Sequence, residues 1–498
     1  MSKLFKENKS GWETIDESKK NEIFKFADDY MDFLNKSKTE REIISSAETL
    51  ARENGFKSLN EYSELHPGDK VYYVNRAKNI YLAVIGKNDI EDGINIIGAH
   101  ADSPRLDLKP SPLFQKGDLT YFNTHYYGGI KKYQWTTIPL AIHGVIVKEN
   151  GEKITVSIGE NEDDPVFVIT DLLPHLAKDQ MQKKLAEAIE GEKLDLVIGN
   201  IPSNKCDEND NPKELNSQDL NSQDLNSQEN KLNLNVKGDN EEQKKCTEKI
   251  KENIMKILNE KYNITEEDFE SSELEIVPAF KARTAGLDRS MVAAYGQDDK
   301  SCVYSSLRAM LSIKNPERTA VCLFSDKEEI GSMGNTGMQS HVFDTFIAEL
   351  LNKLRVNRPN LLDEVFCNSR MLSADVDAAM DPLYAEVSDI TNAGFISHGV
   401  SVNKYTGARG KYDSSDANAE YVAYVRKIFN ENNVKYQFSE LGKVDQGGGG
   451  TIAYILANKG VDVIDCGIPV LSMHSPYELT SKFDIYSAFE AYKAFFNN

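Results

Sequence analysis

The chain has 498 residues, and 58 Lys and Arg against 79 Asp and Glu leave a net charge of −21. At 40% hydrophobic and 28% charged it can bury a sizeable core over two or three domains, which excludes a wholly disordered protein. The acidic balance argues against nucleic acid or an anionic membrane surface as the main partner, and no apolar run is long enough to span a membrane.

The opening Met1-Ser2-Lys3-Leu4-Phe5-Lys6 lacks the apolar core of a signal peptide, so the expected location is the cytoplasm. Six dispersed cysteines (Cys206, Cys246, Cys302, Cys322, Cys367, Cys466) include no CxxC pair. They read as reduced thiols, mostly in the core.

The first 55 residues predict two helices, with a capping box at Thr39-Glu40-Arg41-Glu42 and a stop at Gly55. Apolar, β-branched runs at Val71–Val74, Ile80–Ile85 and Ile94–Ile97 predict strands, the last leading into Gly98-Ala99-His100. From Leu108 to Ile276 the texture changes. Gly129-Ile130, Leu140–Ile142 and Val145–Val147 read there as hairpin strands around turn residues. The expectation is a β-rich domain, residues 108–276, inserted between two parts of one α/β domain, 1–107 and 277–498. Within it Leu215-Asn216-Ser217-Gln218-Asp219 recurs at 220–224 and nearly again at 225–229, so 205–245 reads as a disordered loop. Beyond the insert, a helix over Ser301–Ile313 and a strand over Thr319–Phe324 complete an α/β pattern. It calls for a mostly parallel sheet flanked by helices.

Five segments place acidic residues or histidines where strands end or helices start. His100 in Gly98-Ala99-His100-Ala101-Asp102 is a metal ligand oriented by Asp102, or a hydrogen-bonded core histidine. Asp298-Asp299 ahead of the helix binds a cation between its carboxylates or caps the helix. In Asp326-Lys327-Glu328-Glu329 one glutamate can ligate metal while its neighbour takes a proton from water; the alternative is a solvated turn. Asp375 in Ser373-Ala374-Asp375 is a ligand or an Asx turn, and His474 in Met473-His474-Ser475 a second imidazole donor or a packed histidine. Two imidazoles with several carboxylates and no clustered cysteines suit a pair of zinc, cobalt or manganese ions of the kind that hydrolyse amides or phosphoesters.

In this order, His100-Ala-Asp102-Ser-Pro, Gly296-Gln-Asp298-Asp299, Glu328-Glu329-Ile-Gly331, Ser373-Ala-Asp375 and Met473-His474-Ser475 resemble the aspartyl aminopeptidase and aminopeptidase I family of dinuclear zinc metallopeptidases, in its bacterial aminopeptidase I-like branch. Tyr127-Gly128-Gly129 and Asp445-Gln446-Gly447-Gly448-Gly449-Gly450-Thr451 extend the likeness over nearly the whole chain outside the repeats. The resemblance implies that Asp298 bridges two metal ions, most often zinc, with His100 and Asp375 on one and Glu329 and His474 on the other. Asp288 is the alternative bridge, set aside because Asp298 directly precedes the helix and has a carboxylate neighbour. Glu328 is then the general base and Asp102 the orienter of His100. A cis peptide after the bridging residue is implied as well.

The same resemblance implies peptide substrates with a free N-terminus, and dimers formed through the inserted domain that assemble into tetrahedral dodecamers. His175 in Leu173-Pro174-His175-Leu176 would reach a neighbouring subunit's active site; on sequence alone it is a loop histidine. Lys404, Arg409 and Lys411 are candidates to line the substrate pocket or to be solvated loop cations. The run at Gly447–Gly450 lacks the lysine and spacing of a P-loop, and Gly449 reads as part of a tight loop near the substrate backbone. The chain departs from the strictly aspartyl-type members, with Thr136-Thr137-Ile138 after Trp135 where they carry Asp-Arg-Asp, and Asp377, Ala378 and Asp381 where they place histidines. The expected function is therefore a metallo-aminopeptidase releasing single N-terminal residues, with no acidic preference assigned. The alternatives are a two-metal amidohydrolase acting on acylated amino acids or C-terminal residues, and a metal-stabilised scaffold without catalysis.

Overall fold

The computed structural model describes residue 4 and residues 9–203, 248–412 and 414–498. The repeats, with Cys206 and Cys246, lie outside them. Helices Glu17–Lys36 and Glu40–Glu53 form as expected, the second opened by Thr39, whose hydroxyl accepts from the Glu42 amide while the Glu42 carboxylate accepts from the Thr39 amide.

Nine strands make the largest sheet, in the order Lys57–Ser58, Lys70–Asn75, Asn79–Val84, Ala320–Ser325, Asn95–His100, Arg370–Ser373, Asp462–Gly467, Val400–Asn403 and Tyr436–Phe438. The four from Ala320–Ser325 to Asp462–Gly467 run parallel, with antiparallel neighbours on either side. Alternation explains their continuous apolar runs. Ala320, Cys322 and Phe324 pack against helices Glu17–Lys36, Gln297–Ser312 and Lys482–Phe496, while Val321 and Leu323 meet helices Val342–Lys353 and Leu361–Cys367 on the other face. At about 1.5–3 kcal/mol for each fully buried large apolar side chain, packing on both faces fixes the sheet edge from which the functional residues project.

A second, antiparallel sheet of six strands runs Lys153–Ile158, Leu140–Val147, Ser272–Pro278, Arg105–Lys116, Leu119–Tyr127 and Leu196–Gly199, with its own core around Trp135, Phe122 and Phe269. The hairpin reading fails in one place. Leu140–Val147 is a single strand and Gly129-Ile130 lies in a bend outside it. Gly144 breaks the sequence pattern for a packing reason: at φ 135° its Cα faces the Glu273 carbonyl, which a Cβ would meet at 1.9 Å. A third sheet joins Arg283–Ala285, Met291–Ala294, Glu478–Ser481, Pro469–Leu471 and Asp377–Ala378. Among the described residues no helix is long and apolar enough to cross a membrane.

A partly buried cluster of four charged side chains ties the second sheet to the N-terminal helices. His143 Nδ1 lies 2.8 Å from the Glu42 carboxylate and Nε2 3.1 Å from that of Glu160, with Lys38 Nζ 3.8 Å from Glu160 on the far side. Burial works to lower the imidazole, yet the two carboxylates push it up to about 9. The shift from its ordinary 6.5 is worth roughly 3 kcal/mol at pH values below both. A raised folded-state pKa means that this stability is fully present below about pH 6.5 and is lost as pH rises through about 9. The thermal midpoint of the wild type is therefore expected to fall more steeply than that of His143→Gln between about pH 6 and about pH 10. Parallel midpoints for the two proteins over that range would contradict this role.

Candidate metal centre

The four central strands end along one edge of the large sheet, where open α/β sheets place ligands. His100 closes Asn95–His100 and pairs with Ser325, after which the chain turns through Asp326 to Glu329. Asp375 follows Arg370–Ser373. Asp298 enters from the start of helix Gln297–Ser312, where Asp298 and Asp299 have non-helical dihedrals and share a cis peptide. His474 arrives at φ 64° on the turn between Pro469–Leu471 and Glu478–Ser481. Non-glycine residues seldom occupy that region; the Glu478 carboxylate holds the turn by accepting from the His474 amide at 2.7 Å.

The five side chains meet. His100 Nε2 is 3.2 Å from Asp298 Oδ1 and 3.6 Å from Asp375 Oδ1, while His474 Nε2 is 3.1 Å from Asp298 Oδ2 and 3.6 Å from Glu329 Oε1. Asp298 thus turns one oxygen toward each imidazole. Both rings are held from behind, His100 Nδ1 by the main-chain carbonyl of Asp102 at 3.0 Å and His474 Nδ1 by that of Gly129 at 2.8 Å. A neutral ring that donates through Nδ1 carries a lone pair on Nε2. Each Nε2 then faces carboxylate oxygens, an arrangement satisfied by a proton on the ring or by a metal cation between ring and carboxylate.

Asp298 Oδ1 and Glu329 Oε1 are buried with no hydrogen-bond donor, which leaves them available as ligands. The donor atoms of His100, Asp298 and Asp375 lie within 4.8 Å of one another, as do those of Asp298, Glu329 and His474. The field there is strongly negative. Burial works to lower the His474 imidazole, yet Asp298 and Glu329 push it up to about 10. These residues fit divalent cations.

Asp102 is fully buried and has three donors on its carboxylate: the Glu328 amide at 3.1 Å, the Glu329 amide at 3.1 Å and the Tyr127 hydroxyl at 2.9 Å. Its Oδ1 stands 3.4 Å from His100 Nδ1. It therefore anchors the glutamate turn as well as facing the histidine. Burial, reinforced by Asp375, Asp102 and Asp298 and opposed by His100, pushes the Glu328 carboxyl up to about 8. Glu328 and the five clustered side chains line a cavity of about 710 Å³.

Gly449 lines the same cavity, with Gly448, Gly450, Asn403, Thr406 and Leu441. Lys404 does not; it is about half exposed, with Nζ 3.9 Å from Asp416. Arg409 and Lys411 line a separate small cavity of about 120 Å³. His175 is exposed in a turn of the second sheet's connections, and Asp288 sits in an exposed loop bonded to Ser290. Sequence reasoning missed Glu478, which is buried and accepts from the amides of Gln297 at 2.5 Å, Asp298 at 3.2 Å and His474 at 2.7 Å. The available signal was an acidic residue four positions after a candidate ligand. Tyr127 was seen only as part of a motif.

A family model described as aminopeptidase I zinc metalloprotease (M18) matches residues 33–496. The chain belongs to the M18 aminopeptidase I family. A probable M18 family aminopeptidase 1 of Clostridium acetobutylicum is 46% identical over 499 residues, covering 99% of each chain. The crystal structure of an M18 family aminopeptidase from Thermotoga maritima superposes with a TM-score of 0.88 at 43% identity, covering 99% of this chain and 100% of that one. More distantly, the S. cerevisiae mApe1 dodecamer shares the fold at a TM-score of 0.70 and 20% identity, over 94% of this chain and 96% of that one. This M18 aminopeptidase is accordingly a metallo-aminopeptidase, a peptide-bond hydrolase of a zinc metalloprotease family. Its mixed α/β architecture is that of the solved M18 structures.

Proposed function

We propose that this M18 aminopeptidase releases single N-terminal residues from peptides at a dinuclear centre, most often zinc. His100, Asp298 and Asp375 would hold one ion and Asp298, Glu329 and His474 the other. The observation that carries the reading is Asp298, buried between two imidazoles with one oxygen toward each. Bound there, the ions supply Lewis acidity that acidifies a water and polarises a carbonyl.

The remaining work falls to the chain's own groups. Glu328 faces the cavity from a turn fixed by Asp102 and sits among carboxylates that raise its basicity; it takes a proton from the attacking water and returns it to the leaving amine. Asp102 keeps the glutamate turn and His100 in register. Gly448 to Gly450 bring main chain close to the cavity, where an extended peptide can pair with it.

Among the described residues no Lys or Arg lines the cavity, whereas Asp377 and Asp465 line it beside the proposed ligands. Substrates beginning with Asp or Glu are therefore expected to be the slowest of an aminoacyl panel assayed with added zinc, manganese or cobalt. N-acetylated counterparts should be inert and chelator should abolish turnover. Cleavage of blocked substrates would favour an amidohydrolase, and silence under every metal would favour a scaffold.

We further infer residues 108–276 to be a dimerisation domain and the cytoplasm to be the site of action. Leu172, Leu173, Leu176, Met181 and Leu185 are exposed around His175, an apolar stretch suited to burial against a second copy. The relative from S. cerevisiae is a dodecamer, and the proposed assembly here is tetrahedral and built from dimers. A fully active monomer in light scattering would overturn it.

A further inference from the structure

Strand Leu119–Tyr127 of the second sheet ends directly against the metal centre, and its last residue and the bend after it touch both halves of that centre. On one side Tyr127 donates through its hydroxyl to Asp102 Oδ2 at 2.9 Å. The same carboxylate accepts the amides of Glu328 and Glu329, and Asp102 faces the outer nitrogen of His100. On the other side, two residues along, the Gly129 carbonyl accepts from His474 Nδ1 at 2.8 Å. Between them Gly128, at φ 74°, runs so close to Glu329 that a Cβ would meet its Oε2 at 3.2 Å.

Tyr127 is itself held rigidly. The Arg105 guanidinium lies 3.9 Å from its ring centroid, and Arg105 is buried among Asp107 at 2.8 Å, Glu275 at 3.2 Å and Glu40 at 3.6 Å. Such a cation over a ring in a buried setting resists displacement of the ring. The hydroxyl stays a donor because burial beside Asp102 holds the phenol far above its ordinary range. Partners one step removed from a metal fix ligand orientation and basicity, and their loss typically lowers metal affinity by about 10–100-fold.

We propose that Tyr127-Gly128-Gly129 is a positioning element for the metal centre. Tyr127 acts through Asp102 on His100 and on the turn carrying Glu328 and Glu329, and Gly129 acts on His474. The second sheet thereby sets the geometry of a site whose ligands all come from outside it. This rests on the dinuclear reading above, and its test is chosen so that the two fail separately.

The experiment is zinc affinity by chelator competition on the full chain for wild type, Tyr127→Phe, Asp102→Asn and the double variant, with Tyr126→Phe as an exposed neighbouring control. Tyr127→Phe keeps the ring under Arg105 and removes only the donor. It is expected to weaken zinc about 10–100-fold, to lower kcat more than it changes KM, and to leave the unfolding midpoint of the zinc-stripped protein near that of wild type. In the Asp102→Asn background the same substitution should change affinity by less than about twofold, because coupled residues are not additive. A Tyr127→Phe protein that binds zinc like wild type overturns the positioning role, and so does a full additional loss on top of Asp102→Asn. Should Tyr127→Phe fail to fold, Gly128→Ala decides: an L residue at φ 74° strains the link between Tyr127 and Gly129 and is expected to weaken zinc, and unchanged affinity overturns the proposal. A wild type that binds no zinc refutes the dinuclear reading instead.

Discussion

Replacing Glu328 by glutamine is expected to lower kcat by about 10²–10⁴-fold, the contribution typical of a positioned general base, while zinc content stays that of the wild type. The amide is close in size to the carboxylate but cannot accept a proton from water. The rest of the turn survives, since the main-chain amide of residue 328 still reaches Asp102 at 3.1 Å and the neighbouring Glu329 amide does the same. Glu328 belongs to neither group of ligand atoms, so metal binding does not depend on it. Its base form is the active one in the attack step. Wild-type kcat/KM should therefore rise with pH as Glu328 ionises, and that acid limb should vanish from the residual rate of the variant. Metal analysis beside steady-state kinetics checks both parts. Activity within about tenfold of wild type would move the proton transfer to another group, and loss of zinc would make Glu328 a ligand.

The elements that carry this chemistry were legible because each is a strong local signal. The strands ending at His100 and Ser325 are buried at every position and apolar apart from Asn95, His100 and Ser325 at their ends, as a strand covered on both faces requires. His100, Asp375 and the glutamate pair stand where such runs end, and Asp298 where a helix starts, so their convergence follows from one sheet edge. What was hidden depends on contacts between distant segments. Gly144 looks like a turn from its neighbours and is a strand residue because the Glu273 backbone needs its space. Glu478 sits in a polar stretch that gives no hint of burial, and only pairing of Glu478–Ser481 with Met291–Ala294 brings it beneath Asp298. Lys404 was placed near the pocket from its loop, but its neighbour Asn403 is the one that faces the cavity. Which way consecutive residues point is decided by the strand, and here Val400–Asn403 ends at Asn403.

Asp298→Asn is the substitution expected to empty the whole centre. Asp298 turns one oxygen toward each group that would hold an ion, and asparagine offers one neutral oxygen and an amide group that donates instead of accepting. The substituted side chain would therefore present an N–H to one imidazole or the other, in place of a ligand, and remove one of the three ligand carboxylates that neutralise the ions. Both affinities should fall further than the roughly 10–100-fold typical of partners one step removed. The effect reads directly in stability. A ligand that binds only the folded chain stabilises it by about 2.7 kcal/mol at about a hundred times its Kd, so zinc should raise the unfolding midpoint of wild type and leave that of the variant in place. Asp375→Asn touches one group of ligand atoms only and should keep one ion. Asp299→Asn supplies the contrast within the same pair of residues. Asp299 Oδ2 accepts from the His100 amide at 3.2 Å and joins neither ligand group, so that variant should retain two ions. Two zinc ions on Asp298→Asn, or their loss from Asp299→Asn, would transfer the bridge from the first carboxylate to the second.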